Sequence, residues 1–445
     1  MAAALIVAAL GVGGRDVAAE ARSRKPAPGT ELTAAELGWP ATTRAVRIKA
    51  RTEVYGAPGK KTYLGAVSKG TRVGWSKIVA TRDGCRAWIA IEPRGWVCAT
   101  DVVPTSEPPE PGLDPDRVVQ ATEAKTHAGV LPRGADAYAT QKDVLAGTPW
   151  KRAPGFAFLR DDTPIVKIGD RRYYKTRHGY IATRDVEPRK ASTWSGIDLT
   201  ATPAPAWPLA WTVPARRELP VIVRATPDAR GADVARLTRR EVLPVLEERA
   251  GFVRVGADRW IDVDELRIAR SSTRPRGVRA DERWIDVDLD QQVLVAYEGD
   301  RPVYATMISS GIGRSTPTAL HRIAEKRMIT RMKSPDIALG KWDMPDVPFA
   351  MTFRENYALH GAYWHDSFGK KRSHGCINVT PRDAAFLFRW TYPQLPPGWV
   401  QGVADGDTGT PIRLRNAKNP DPDWTDFHAP PPVPTKETPP VDVEE

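Results

Sequence analysis

Cysteine is nearly absent: 445 residues contain only Cys85, Cys98 and Cys376. This excludes a disulfide-dense scaffold and leaves too few thiols for multi-cysteine zinc modules. Histidine is thin as well, with seven residues. After the apolar stretch at 2–10, no run approaches the ~18 apolar residues needed to span a bilayer. The net charge of +11 comes without a dense basic helix or an aromatic RNA-binding signature, so no nucleic-acid partner is indicated. That charge suits an anionic cell envelope, and serves solubility equally well. What the chain has in quantity is proline, 41 residues, and glycine, 35, beside 41% hydrophobic residues. Length alone allows about three domains at ~150 residues each. This composition fits several β-rich modules joined by proline linkers better than one large α/β body.

Residues 1–22 read as a signal segment. An apolar run at 2–10, a Gly-rich break and small residues at 18–21 resemble an h-region and cleavage region, although a positively charged start is missing. No cysteine follows, so a lipoprotein anchor is not supported. Cys85 and Cys98 are thirteen residues apart on neighbouring strands. Spacing leaves open whether they form a disulfide or two buried thiols. A pair plus one odd thiol fits an exported, soluble chain in the periplasm or cell wall, without a stable transmembrane anchor.

Short β-type runs with Gly turns fill 45–104, and 105–116, with four prolines, reads as a linker. A second block spans 118–188 and a third 216–269. Their ends rhyme: Trp96, Tyr180 and Trp260 are each followed by a β-branched residue and a polar turn containing Asp. This self-similarity predicts three related small β-barrels. The blocks resemble bacterial SH3-like domains, which implies that they bind wall glycan or peptide. Their aromatics either stack on such ligands or fill the barrel cores. Residues 189–214 read as a linker whose three tryptophans pack on a neighbouring domain, and 415–445 as a disordered, acidic, Pro-rich tail.

The chemistry concentrates between 359 and 378, which holds Cys376 and three of the seven histidines. A thiol is a good nucleophile only as thiolate, and an unperturbed Cys at pKa ~8.5 needs a neighbouring base. His360, sixteen residues before Cys376, lies far enough away for a loop to return the two side chains to each other. A zinc site would want a fourth ligand and regularly spaced cysteines, which the segment lacks. Strands are expected at 284–289, 292–297, 303–310, 318–323 and 357–360, with a hairpin turn at 298–300. Thr380, Pro381 and Asp383 predict a capped helix running to Trp390.

His360-Gly361, a loop, and Ser373-His374-Gly375-Cys376-Ile377-Asn378 closely resemble the active-site motif of the L,D-transpeptidase (YkuD-like) family, over 283–414. The resemblance implies a mainly β fold, no cofactor or metal, and peptidoglycan stem peptides as partners. Carried over to this chain, it makes Cys376 the nucleophile and His360 its base, with the Gly361 carbonyl orienting the imidazole. Backbone N–H groups of His374, Gly375 and Cys376 would form an oxyanion hole, and Ser373 and Asn378 would hold the loop. Tyr357 and Met344 would face the substrate groove. Lys370, Lys371 and Arg372 supply either carboxylate recognition or solvated charge, and His365 reads as an ordinary loop residue. The implied activity is formation or remodelling of wall cross-links through a cysteine thioester. The alternatives are a cysteine L,D-carboxypeptidase or amidase, and a catalytically degenerate wall-binding protein.

Overall fold

The C-terminal strands follow directly from alternation and from their turns. Strands β1 (Arg283–Asp288), β2 (Val293–Glu298) and β3 (Arg301–Met307) form an antiparallel meander turning through Gly299 at φ +60°. Then come β4 Ala319–Arg322, β5 Glu325–Lys333, β6 Asp343–Arg354, β7 Tyr357–Gly361, β8 Ile377–Val379, the helix α1 Pro381–Trp390, β9 Trp399–Val403 and β10 Pro411–Arg415. The computed structural model describes residues 26–425 except 132–133, 154–157, 160–162, 177–178 and 334–342. The expected signal segment at 1–22 and the tail beyond 425 lie outside the described residues.

Two sheets face each other here. One carries β3, β2, β1, β10 and β4 in that order, and the other carries β9, β5, β6, β7 and β8. Ile285, Val287, Leu294 and Ala296 from the first meet Phe349, Met351, Leu359 and Ile377 from the second, with Ala384, Leu387 and Phe388 of α1 closing one side. The Thr380 side chain accepts from Asp383 N, and Pro381 occupies the first turn, as the Thr-Pro-x-Asp pattern requires. The chain is mainly β throughout, and no helix among the described residues is long and apolar enough to cross a membrane.

The upstream segments join this body in three different ways. The 45–105 module builds its own core from Val46, Ile48, Val54, Ile78, Ile89 and Val97, and Cys85 and Cys98 are disulfide-bonded with Cα atoms 5.9 Å apart. Its strand Lys61–Val67 pairs antiparallel with β9, so the module's sheet runs on into that of the C-terminal body. Gly65, at φ +156°, allows that approach, since a Cβ there would lie 2.1 Å from the Gln401 carbonyl oxygen. The second block is not purely β. It includes helices Pro115–Ala124 and Gln141–Ala146, each entered through an Asp114 or Thr140 N-cap. The first of these helices begins inside the stretch read as a linker. It is fixed to α1 by the ion pairs Arg382–Glu123 and Arg389–Asp116.

The 189–214 segment, expected to be a linker, is built into two sheets. Ile197–Asp198 pairs with β3 as an edge strand. Leu209–Thr212 is the central strand of a three-stranded sheet in the third module, between Val242–Pro244 and Leu266–Ala269. All four residues of Leu209–Thr212 are buried because each face has its own core. Ala210 points into the third module, whereas Leu209 and Trp211 share a core with Trp284, Val295, Tyr297, Met307 and Phe368. A strand covered on both faces shows no alternation, which is why its composition reads as a linker. Residues 415–425 are likewise ordered. Trp424 Nε1 donates to the Arg276 carbonyl at 2.9 Å, and Thr425 N to Leu320 O. Of the three rhyming aromatics, Trp260 is buried beneath Arg249, while Trp96 and Tyr180 are half-buried at the edges of small aromatic clusters.

Candidate active site

β7 and β8 run parallel, with Leu359 opposite Ile377 and His360 opposite Asn378. Leu359 and Ile377 point into the main core. Alternation therefore sends His360 and Asn378 to the other face, and Cys376, two residues before Asn378, to that same face. Diagonal neighbours on adjacent strands have Cα atoms roughly 7–8 Å apart, a separation that side chains bridge. Cys376 lies one residue before β8, with its Sγ 3.8 Å from the Asn356 carbonyl oxygen.

The electrostatics of the pair come from burial. His360 Nδ1 lies 3.1 Å from the Gly361 carbonyl oxygen. A carbonyl only accepts, so Nδ1 carries the proton and Nε2 keeps its lone pair. Burial lowers His360 to about 4, and the Gly361 hydrogen bond offsets only part of that. Burial likewise pushes the Cys376 thiol up to about 11, against a hydrogen bond with the Ala358 backbone that favours thiolate. At neutral pH both groups rest uncharged, the imidazole with its proton on Nδ1.

The cysteine loop is shaped by its partners. Ser373 Oγ accepts from Gly375 N at 3.0 Å and donates to the Cys376 carbonyl at 2.6 Å. Of the three N–H groups expected to form an oxyanion hole, that of Gly375 is therefore already engaged. This corrects the reading of Gly375 as a free donor. Gly375 has φ +145°, and a Cβ there would sit 2.6 Å from the Tyr357 ring and 3.0 Å from the Ser315 carbonyl oxygen. Tyr357 accordingly packs on the motif itself. Gly361 also faces tight packing, with Pro348 2.9 Å from a hypothetical Cβ. His374 is exposed. Met344, expected along the substrate groove, is buried with Ala191, Val347 and Tyr363 and serves packing.

Several residues matter here more than their sequence context suggests. The turn after β3 cradles the motif: Ser309 N and O pair with Asn378 O and N at 2.8 and 2.9 Å, and Arg372 N and Ser373 N both reach Ser310 O. Thr316 Oγ1 donates to the Gly375 carbonyl at 2.7 Å and accepts from Gly311 N at 2.8 Å. His365 is not an ordinary loop residue. It is buried, receives Ser367 N on Nδ1 at 3.2 Å, and holds one terminal atom of the Asn378 carboxamide 3.0 Å from Nε2. The other terminal atom of that carboxamide, assigned as Oδ1, is buried with no hydrogen-bond partner among the described residues. Of the loop cations, Lys370 bonds the Pro214 and Ala215 carbonyls, whereas Lys371 and Arg372 are exposed.

Residues 282–414 match the family described as the L,D-transpeptidase catalytic domain, YkuD. The Bacillus subtilis protein named "Putative L,D-transpeptidase YciB" is 26% identical over 159 residues, covering 28% of this chain and 69% of that protein. The crystal structure of an Enterococcus faecium L,D-transpeptidase with cysteine mutated to serine is 21% identical, with a TM-score of 0.25 over 31% of this chain and 50% of that one. The chain thus spans half the length of that relative. The NMR structure of the E. faecium catalytic domain is 23% identical, with a TM-score of 0.25, covering 30% of this chain and 98% of that domain.

Proposed function

Residues 282–414 form an L,D-transpeptidase catalytic domain of the YkuD family, and from that premise we propose that this chain forms or remodels peptidoglycan cross-links through a thioester on Cys376. The observation that supports the reading is the parallel β7–β8 register: His360 stands opposite Asn378, on the face away from the core, and Cys376 immediately precedes β8. His360 Nε2 takes the thiol proton as sulfur attacks the carbonyl carbon of a donor stem peptide. The C–N bond to the terminal D-amino acid breaks, and the imidazolium returns its proton to the leaving amine. An acceptor amine then attacks the thioester and gives a proton to Nε2, and the C–S bond breaks to restore the thiol.

Because burial disfavours both charged forms, the proton moves within the attack step and no stable thiolate–imidazolium pair is needed beforehand. Backbone N–H groups of His374 and Cys376 are the donors proposed for the carbonyl oxygen; one such donor is commonly worth ~3 kcal/mol of transition-state stabilisation. The Cys85–Cys98 disulfide supports action in an oxidising compartment outside the cytoplasm.

Purified disaccharide-tetrapeptide gives the test. Wild type should yield cross-linked dimer, Cys376→Ala none, and His360→Ala at least 10³-fold less per unit time. Dimer formation by the cysteine variant would overturn the mechanism. Release of the D-amino acid without dimer, at every acceptor concentration, would instead identify a hydrolase.

A further inference from the structure

We propose that His365 is a positioning residue for the Cys376–His360 pair, turning the Asn378 carboxamide so that its N–H donors face the cysteine side of the β7–β8 pair. The inference rests on the transpeptidase reading of this site and deepens it.

The hydrogen bonds dictate the orientation. Ser367 N–H occupies the lone pair of His365 Nδ1. Burial holds this ring's pKa down to about 3, so it is neutral and its single proton is on Nε2. The position facing that N–H, at 3.0 Å, is assigned to Asn378 Nδ2; two N–H donors cannot bond each other, so we infer that the carboxamide is turned over, with its oxygen toward His365. The NH2 then takes the position assigned to Oδ1, which is buried without a hydrogen-bond partner among the described residues. Asn378 stands opposite His360 in register, on the face away from the core, two residues from Cys376. Turned this way, the carboxamide offers an N–H donor, without an acceptor among the described residues, on the strand that follows Cys376.

His365 is itself held by the third module. The neighbouring Asp366 carboxylate is bonded by Arg239 and Arg240, with Arg217 at 3.3 Å. Arg239 and Arg240 also reach the Asp366 carbonyl at 3.1 and 3.3 Å. Arg267 Nε donates to the Gly369 carbonyl at 2.6 Å. Phe368, its ring 5.0 Å from that of His365, is buried in the core shared with Leu209, Trp211 and Val213. The loop between the two catalytic side chains is therefore shaped by residues more than a hundred positions upstream, and His365 passes that constraint to the cysteine strand.

The test uses the full chain carrying His365→Phe, His365→Gln or Asn378→Asp. Phe fills the ring's space without hydrogen bonds, Gln restores a donor to Asn378, and Asp keeps the acceptor for His365 but removes the amide N–H. Two readouts are taken: kcat and KM for dimer formation from disaccharide-tetrapeptide, and the rate of Cys376 alkylation by iodoacetamide at pH 8.5. The other two cysteines are in the disulfide, so alkylation reports on Cys376 alone.

His365→Phe and Asn378→Asp should each lower kcat at least tenfold with KM within about twofold, and slow alkylation by a similar factor. His365→Gln should recover to within about threefold of wild type. Folded His365→Phe with kcat and alkylation within twofold of wild type overturns the proposal, as does a Gln variant no better than Phe. Should His365→Phe fail to fold, Asn378→Asp decides by the same limits. If wild type makes no dimer at all, the transpeptidase reading fails, and the alkylation rates still decide the role of His365.

Discussion

At the residue scale, three buried histidines make the protein sensitive to acid. Burial lowers His321 to about 4, His360 to about 4 and His365 to about 3. Between those values and the ordinary ~6.5, the unfolded chain binds protons that the folded chain refuses, so stability rises with pH and is lost on acidification. At pH 5 each such group costs on the order of 2 kcal/mol relative to pH 7.5. Thermal midpoints measured from pH 7.5 down to pH 5 at constant ionic strength should fall throughout. A flat or rising midpoint would contradict the buried, neutral state on which the mechanism depends. Asp383, its pKa raised by burial, works in the opposite sense, as one group against three histidines.

At the scale of single elements, α1 is fastened at its N-terminus by one carboxylate. Asp383 accepts Tyr304 OH at 2.6 Å, Thr306 Oγ1 at 2.7 Å and Gly196 N at 2.7 Å, joining the helix, β3 and the 189–214 segment. Asp383→Ala leaves those buried donors unpaired and should lower the unfolding free energy by about 3 kcal/mol or more, read from the urea midpoint. A change below about 1 kcal/mol would mean that water replaces the carboxylate freely. This helix is legible in the sequence because Thr380, Pro381 and Asp383 are local signals with fixed offsets. The meander β1–β3 is legible for a similar reason, since alternating apolar residues flank a Gly turn. The hydrogen bonds of His365 are not legible: they depend on Asn378, thirteen residues away, and on the register of a parallel strand pair. Met344 misleads because a motif position says which strand a residue occupies, and not which of its faces is covered.

At the scale of the whole molecule, the upstream segments are structural partners of the catalytic body. The first module extends its sheet, the second brings His127 to stack 4.0 Å from Tyr363, and the third shares its core. A shortened chain beginning at residue 270 exposes Trp284, Tyr297, Met307 and Phe368, whereas one beginning at 189 keeps Leu209, Trp211 and the Ile197–Asp198 edge strand. The former should melt at least about 10 °C lower than the latter and bind a hydrophobic dye at ambient temperature. Equal midpoints would mean that the third module contributes nothing to the catalytic body. The rhyming block ends point to three small separate units, yet give no sign of their attachment to the body, because strands covered on both faces carry no period.

The core shared by Trp211 and Phe368 has a consequence for how the protein is made. Synthesis proceeds from the N-terminus, and domains ordinarily fold as units while the rest of the chain follows. Here the inner wall of the third module is finished only when the segment around Phe368, some 150 residues later, arrives to cover it. Until then the cover that Trp284, Val295, Tyr297 and Met307 give Leu209 and Trp211 lacks its last member, and Cys376 is reached just after that member. Maturation of the thiol and completion of the upstream core are thus nearly one event in time, so a nascent chain halted before that point is a candidate for aggregation.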